Sequence, residues 1–151
     1  MIEIKGNIFD KIGIVDAICI TTNLTLRNNG DAICGAGIAK AAQIRWPEFE
    51  KNLGILIRNG NKSVCKVYEE NKTSILAFPT KTNWKINSSF DLIKRSLRDL
   101  AKMIKENGWS VVCLPRPGCS NGGLNWSTYK PLVEQELKEL GVSDNIIIFS
   151  L

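Results

Sequence analysis

Short β-branched and apolar runs alternate along the chain with longer helix-patterned segments, and this alternation restricts the fold more than any other feature. Residues 2–5, 15–21, 64–68, 74–78, 111–114 and 146–149 have the length and composition of strands, most of them apolar enough to be buried on both faces. Phe90, Ile93, Leu97, Leu100 and Ile104 recur at spacings of three and four, which predicts a helix over 88–106, opened by Ser88 and Asp91 as a capping box and ended by Gly108. A second helix is expected after Ser127, with Leu132, Val133, Leu137 and Leu140 on one face, Pro131 in or near its first turn and Gly141 as its stop. Residues 38–46 and 49–58 read as a further helix pair broken by Pro47. Glu69-Glu70-Asn71-Lys72 reads as a hairpin turn between two neighbouring strands. The expected fold is α/β, a three-layer α/β/α sandwich around a mixed, mostly parallel sheet of about six strands. It forms one domain over 1–151, with no repeat or linker.

A chain of 151 residues with 44% hydrophobic content needs neither disulfides nor a structural metal. Its five cysteines, at 19, 34, 65, 113 and 119, form no C-x-x-C pair, and Cys19 and Cys113 fall inside apolar strands as small core fillers. Histidine is absent, which removes Ser-His and Cys-His nucleophile pairs and imidazole as a general base. Acid–base chemistry is left to carboxylates, lysine, thiols or water. The net charge of +5 is scattered and favours anionic ligands without naming one. The apolar run at 146–149 is far below the ~20 residues of a membrane helix, and Asp10, Lys11 and Asp16 interrupt any signal core. The expectation is a cytoplasmic protein without membrane contact.

Ligands of open α/β sheets collect outside the carboxyl ends of the strands, so the loops leaving those ends are the informative ones. Gly35-Ala36-Gly37-Ile38-Ala39 opens a helix and is either a tight turn or a phosphate cradle. Pro79-Thr80-Lys81-Thr82-Asn83-Trp84 sets a lysine and an indole just after a buried strand, the lysine being either an ordinary surface residue or a functional one. Residues 115–126 hold three glycines, two prolines and two asparagines, more than a turn requires and suited to a backbone nest around a phosphate or ribose.

These loops carry a resemblance. The stretches Gly6-Asn7-Ile8-Phe9, Thr22-Asn23, Gly35 to Ala39, Phe78-Pro79-Thr80-Lys81 with Trp84, and Gly118-Cys119 with Gly122-Gly123-Leu124 and Trp126 resemble, in order, the macrodomains, the ADP-ribose-binding family. Within the family the chain is similar to the branch of bacterial DNA ADP-ribosyl glycohydrolase antitoxins and the human terminal ADP-ribose glycohydrolase, and to small stand-alone bacterial and phage macrodomain proteins. The resemblance implies binding of ADP-ribose, free or attached to a nucleic acid or protein, with no cofactor and no metal. It implies Asn7 and Ile8 at the adenine with Phe149 and Ser150 flanking it, and Asn23 near the distal ribose. Gly35, Ala36, Gly37, Ile38 and Ala39 would close over the pyrophosphate and distal ribose from one side, and Pro117, Gly118, Cys119, Ser120, Asn121, Gly122, Gly123 and Leu124 from the other. Lys81 would act on the anomeric carbon of that ribose, as a lysine does in the glycohydrolases of the branch. The human enzyme pairs its lysine with an acid in the second glycine-rich loop, but here that position falls on Gly122, and the neighbouring Asn121 cannot relay a proton. Asp31 and Asp10 are the alternatives.

The first reading is an enzyme that removes ADP-ribose from a modified target. Hydrolysis of ADP-ribose 1''-phosphate and non-catalytic ADP-ribose binding are the alternatives, since fold does not settle activity. A nucleic-acid binder stacking bases on Trp46, Trp84, Trp109 and Trp126 is a further class, but no basic stripe accompanies them. Residues 24–33 are expected to be a mobile flap.

Overall fold

The computed structural model describes residues 1–150; Leu151, the last residue of the expected domain, lies outside the described residues. Its strands are β1 (Ile2–Lys5), β2 (Ala17–Asn23), β3 (Cys65–Glu70), β4 (Thr73–Lys81), β5 (Val112–Pro115) and β6 (Ile146–Ser150). Its helices are α1 (Gly37–Arg45), α2 (Phe49–Arg58), α3 (Phe90–Asn107) and α4 (Trp126–Glu139). The strands form one sheet in the order β1-β6-β5-β2-β4-β3, parallel throughout except where β3 runs against β4. The mixed six-stranded sheet is therefore as expected. No helix among the described residues is long and apolar enough to cross a membrane.

Alternate residues of a strand face opposite sides, and β2 shows why two helical layers are needed. Ile18 and Ile20 pack on one side with Ala42, Trp46, Phe49 and Leu53 of the α1–α2 region, while Ala17 and Cys19 pack on the other with Leu97, Leu100 and Leu137 of α3 and α4. The central strands β2 and β4 are almost wholly buried; the edge strand β1 is exposed along its length, and β3 is covered at alternate positions only. Burial on both faces thus holds for the centre of the sheet and fails at its edges, where one flank has no neighbouring strand.

Several boundaries differ from the sequence expectation. Ser89, not Ser88, caps α3, its Oγ accepting the Leu92 N–H at 3.4 Å, and Gly108 ends the helix at φ 64° as expected. Asn125 caps α4, which begins at Trp126, so Pro131 sits in the second turn. Leu132 is 42% exposed rather than on the buried face; Val133 and Leu137 carry that contact. The hairpin turn is made by Asn71 and Lys72, both at positive φ, as a primed two-residue turn requires. Strand β4 runs on through Pro79 to Lys81, so these residues belong to the sheet rather than to a loop. The β2–β4 ladder shifts register there: Thr22 pairs with Pro79 but Asn23 pairs with Lys81, leaving Thr80 as an inserted residue.

Candidate functional site

The parallel strands deliver their carboxyl ends to one side of the molecule, and every loop singled out in the sequence leaves from that side. β2 and β4 place Asn23 and Lys81 as direct partners, β5 leads into residues 116–125, and β6 sets Phe149 opposite Ile4. The two glycine-rich turns do converge. The Asn121 side chain lies against Gly37, its Nδ2 only 2.6 Å from where a Cβ on Gly37 would stand, and Gly37 has a φ of 57°. A side chain at position 37 would have to displace that amide and hold a left-handed backbone that favours glycine. The Asn121 amide also fills space between the two turns; two surface hollows lie elsewhere, about 290 Å³ beside Lys138 and Gly141 and about 150 Å³ between α3 and α4.

The main chain of this region is under-satisfied. In the turn after β5, Cys119, Gly123 and Leu124 donate their N–H groups to Arg116, Ser120 and Gly118 carbonyls, whereas those of Ser120, Asn121 and Gly122 have no acceptor among the described residues. Helix α1 opens behind Ala36, which has no side-chain acceptor to offer its first turn. Free amides in succession and an uncapped helix start both favour an anion. Gly35, Ala36 and Gly37 are exposed, Ile38 is half-buried and Ala39 is buried under the helix. Pro117 and Gly118 are buried, Cys119 and Leu124 half-buried, Ser120 and Gly123 exposed.

Lys81 ends β4 half-buried, and its Nζ donates to the carbonyls of Asn121 at 3.2 Å and Trp84 at 3.5 Å. It makes no ion pair among the described residues. Asp31 is not available to it: its backbone lies on Gly54 of α2, and its carboxylate accepts from Asn29. Asp10 is exposed on the 3-10 turn Ile8–Lys11 and has no bond to Lys81. Gly122 could not carry the missing acid either, because a Cβ there would run into Ser88 Oγ and the Gly118 carbonyl, pointing inward rather than toward the lysine. Burial pushes the Cys34 thiol up to about 12, with Glu50 adding to the effect, and pushes Cys119 up to about 11, so both remain protonated and are poor nucleophiles near neutrality.

Asn7 caps the 3-10 turn, its Oδ1 accepting from Phe9 N at 3.0 Å, and its amide NH₂ stays exposed. Ile8 and Phe149 are buried in the core cluster beneath, with the Phe149 ring edge beside Gly6. Asn23 spends both ends of its amide on the following segment, donating to Ile33 O at 3.1 Å and accepting from Thr25 N at 2.9 Å. That segment, expected as a mobile flap, is a tight hairpin: Leu26 pairs with Ala32, Arg27 reaches Glu50 at 3.0 Å, and Ala32 N donates to Glu50 O. Of its polar side chains, Arg27 finds its partner in α2, far along the chain, whereas Asn29 and Asp31 bond each other within the turn.

The sequence reading took Ser88 for the α3 cap and missed that its buried Oγ, beneath Gly118 and Gly122, has no hydrogen-bond partner among the described residues; it passed over Thr25, whose Oγ accepts from Trp84 N at 3.3 Å and donates to Thr82 O at 3.4 Å. Neither has a local signal; both acquire their role from a loop remote in sequence.

The architecture is that of a macrodomain. Over 100% of this chain and 98% of the other, it matches the macrodomain of Mycobacterium tuberculosis DarG with a TM-score of 0.79 at 24% identity. Over 99% and 97% it matches that of Thermus aquaticus DarG with a TM-score of 0.80 at 22% identity. Thermosipho africanus DarTG in complex with ADP-ribose matches with a TM-score of 0.73 at 23% identity, over 89% of this chain and 38% of that one. In sequence, the chain is 27% identical over 121 residues to the DNA ADP-ribosyl glycohydrolase of M. tuberculosis, covering 76% of this chain and 34% of that protein. It is 24% identical over 143 residues to the T. aquaticus enzyme of the same name, covering 91% and 38%. The chain thus spans about a third of the length of these curated relatives. No family model matches it.

Proposed function

We propose that this chain binds ADP-ribose across the carboxyl ends of the parallel strands and hydrolyses the bond that joins it to DNA. The observation that carries this reading is the conjunction of two sets of unmet main-chain donors, at the start of α1 and at Ser120–Gly122, with Lys81, which makes no ion pair among the described residues, beside them. A diphosphate accepts from such donors without a fixed positive charge, so that it is held and still released. The activity named for the relatives from M. tuberculosis and T. aquaticus supports DNA as the target. Asn7 would offer its free NH₂ to an acceptor on the adenine edge, with Ile8 and Phe149 supporting the base from below.

In the reaction, the Lys81 nitrogen, once unprotonated, bonds to the anomeric carbon of the distal ribose as the bond to the DNA breaks. The leaving group takes the proton that the lysine nitrogen sheds, and water then replaces the lysine on the sugar, releasing ADP-ribose and regenerating the amine. With no carboxylate paired to Lys81 among the described residues, proton transfer runs between lysine, leaving group and solvent. Entry of the diphosphate requires the Asn121 amide to leave Gly37, and the Asn121 N–H groups then become available to the ligand. The same missing carboxylate favours a second reading, in which the chain holds ADP-ribose without cleaving its linkage.

Calorimetry with free ADP-ribose and turnover of ADP-ribosylated DNA, ADP-ribosylated protein and ADP-ribose 1''-phosphate test the two together. Lys81→Ala should lower turnover of ADP-ribosylated DNA by about three orders of magnitude or more while ADP-ribose still binds. Turnover that survives the substitution overturns the lysine mechanism; wild-type binding without turnover of any substrate selects the second reading; no heat at millimolar ADP-ribose removes both.

A further inference from the structure

We propose that Trp84, with Lys85 beside it, is the platform on which the modified nucleobase stacks while its ADP-ribose occupies the cleft. The proposal rests on the ADP-ribosyl-DNA reading above. Of the four tryptophans, three are accounted for by the fold. Trp46 is buried and donates to Glu70, Trp126 donates to Glu3, and Trp109 packs against the α3–α4 core. Trp84 is 48% exposed, and its indole N–H has no acceptor among the described residues. Ile86, at 51% exposure, extends the same apolar lip.

The indole is nonetheless held in place next to the reacting group. The Trp84 carbonyl accepts from Lys81 Nζ, its N–H donates to Thr25 Oγ, and the turn from Asn83 to Ile86 is closed by its own hydrogen bonds, with Asn83 Oδ1 accepting from Lys85 N at 2.9 Å. A leaving group departing from a carbon attacked by Lys81 therefore lies within reach of this ring. Charge points the same way. Arg45 sits over Phe9 and Trp46, and Arg116 over Trp126, but both arginines are paired with carboxylates, Glu70 and Glu3. Lys85, 5.5 Å from the Trp84 ring centre, has no carboxylate partner among the described residues. An aromatic face beside an unneutralised cation is the arrangement that takes a base and its adjoining phosphate. The base must be unstacked to lie on the ring, which selects a single or locally opened strand over a duplex.

The test uses three ligands with wild type, Trp84→Ala, Trp84→Phe and Lys85→Gln. These are a single-stranded oligonucleotide carrying ADP-ribose on one base, an ADP-ribosylated peptide as competitor, and free ADP-ribose. Trp84→Ala should raise KM for the oligonucleotide about 5- to 100-fold, the range of one base–indole stack. The peptide's inhibition constant and the ADP-ribose Kd should stay within about twofold, and Trp84→Phe should recover most of the loss. Lys85→Gln should weaken the oligonucleotide a few-fold and lower the slope of its salt dependence by about one ion. Equal losses for all three ligands with Trp84→Ala would show that the residue only holds the lysine loop, and an unmoved oligonucleotide KM would show that no base stacks there; either overturns the proposal while ADP-ribose binding by wild type keeps the underlying reading intact. Failure of wild type to bind free ADP-ribose would instead remove that reading, and this one with it.

Discussion

The two ends of the sheet solve the same problem in opposite ways. Where the strands begin, side chains meet the needs of the loops: Asp16 accepts the N–H groups of Ser110 and Val111 at 2.7 and 3.0 Å, and Thr73 Oγ accepts from Gly13 N and donates to Val15 O. Asn145 spends its NH₂ on the carbonyls of Trp109 and Ser110. Where the strands end, among the described residues, the amides of Ser120, Asn121 and Gly122 have no acceptor, α1 has no side-chain cap, Ser88 Oγ is buried without a partner, and Lys81 and Lys85 have no carboxylate partner. One end is finished by the protein alone, and the other retains hydrogen-bonding capacity open to solvent or a guest. Unmet polar capacity concentrated at one end fits the binding site proposed there.

The contrast can be broken most sharply at Gly37. Gly37→Glu places a side chain where the Asn121 amide lies and a carboxylate before the free amides, and should weaken ADP-ribose by about 100-fold or more in calorimetry. Retained affinity would separate the ligand from these turns. At the other end, Asp16→Ala orphans two N–H groups and should cost about 1–3 kcal/mol in denaturant unfolding with no change in ADP-ribose Kd, whereas Ser88→Ala removes a hydroxyl with no partner and should be neutral or stabilising by up to about 1 kcal/mol. Equal destabilisation by the two substitutions would erase the distinction between the ends. The smallest effect concerns acid. Hydrogen bonds from Arg45 and then Trp46 hold the Glu70 carboxyl, where β3 meets the strand starts, below its ordinary range. A lowered folded-state pKa contributes stability that is complete above the unfolded value near 4.5 and fades as pH falls through the folded one. Wild type should therefore lose about 1 kcal/mol or less to this group below pH 4.5, and Glu70→Gln should remove that increment from acid unfolding curves.

The centre of this fold was plain in the sequence because β2, β4 and β5 are buried on both faces and so read as unbroken apolar runs, and because α3 repeats its apolar residues over five turns. Adjacent serines hid the α3 cap: Ser88 and Ser89 have the same chemistry, and only tertiary placement under Gly118 and Gly122 decides which of them caps. The candidate site was legible as a set of loops sharing one end of the sheet, since parallel order forces that. Its closure by Asn121 was not, nor was the absence of an acid partner for Lys81 beyond the gap at Gly122, because both depend on distances between loops far apart in sequence. Trp84 was visible as a residue but not as the one indole left without a structural task.

The inserted Thr80 has a consequence for how Lys81 is aimed. Strand residues two apart share a side of the sheet, so unbroken pairing would have sent Lys81 to the side of Pro79; the extra residue resets the parity and gives it the side of Asn23 instead. The direction of the amine is thus set by counting residues, not by their identity. Under the proposed role of Lys81, turnover should tolerate substitution at Thr80 far better than its deletion, which would turn the lysine to the other layer of the molecule.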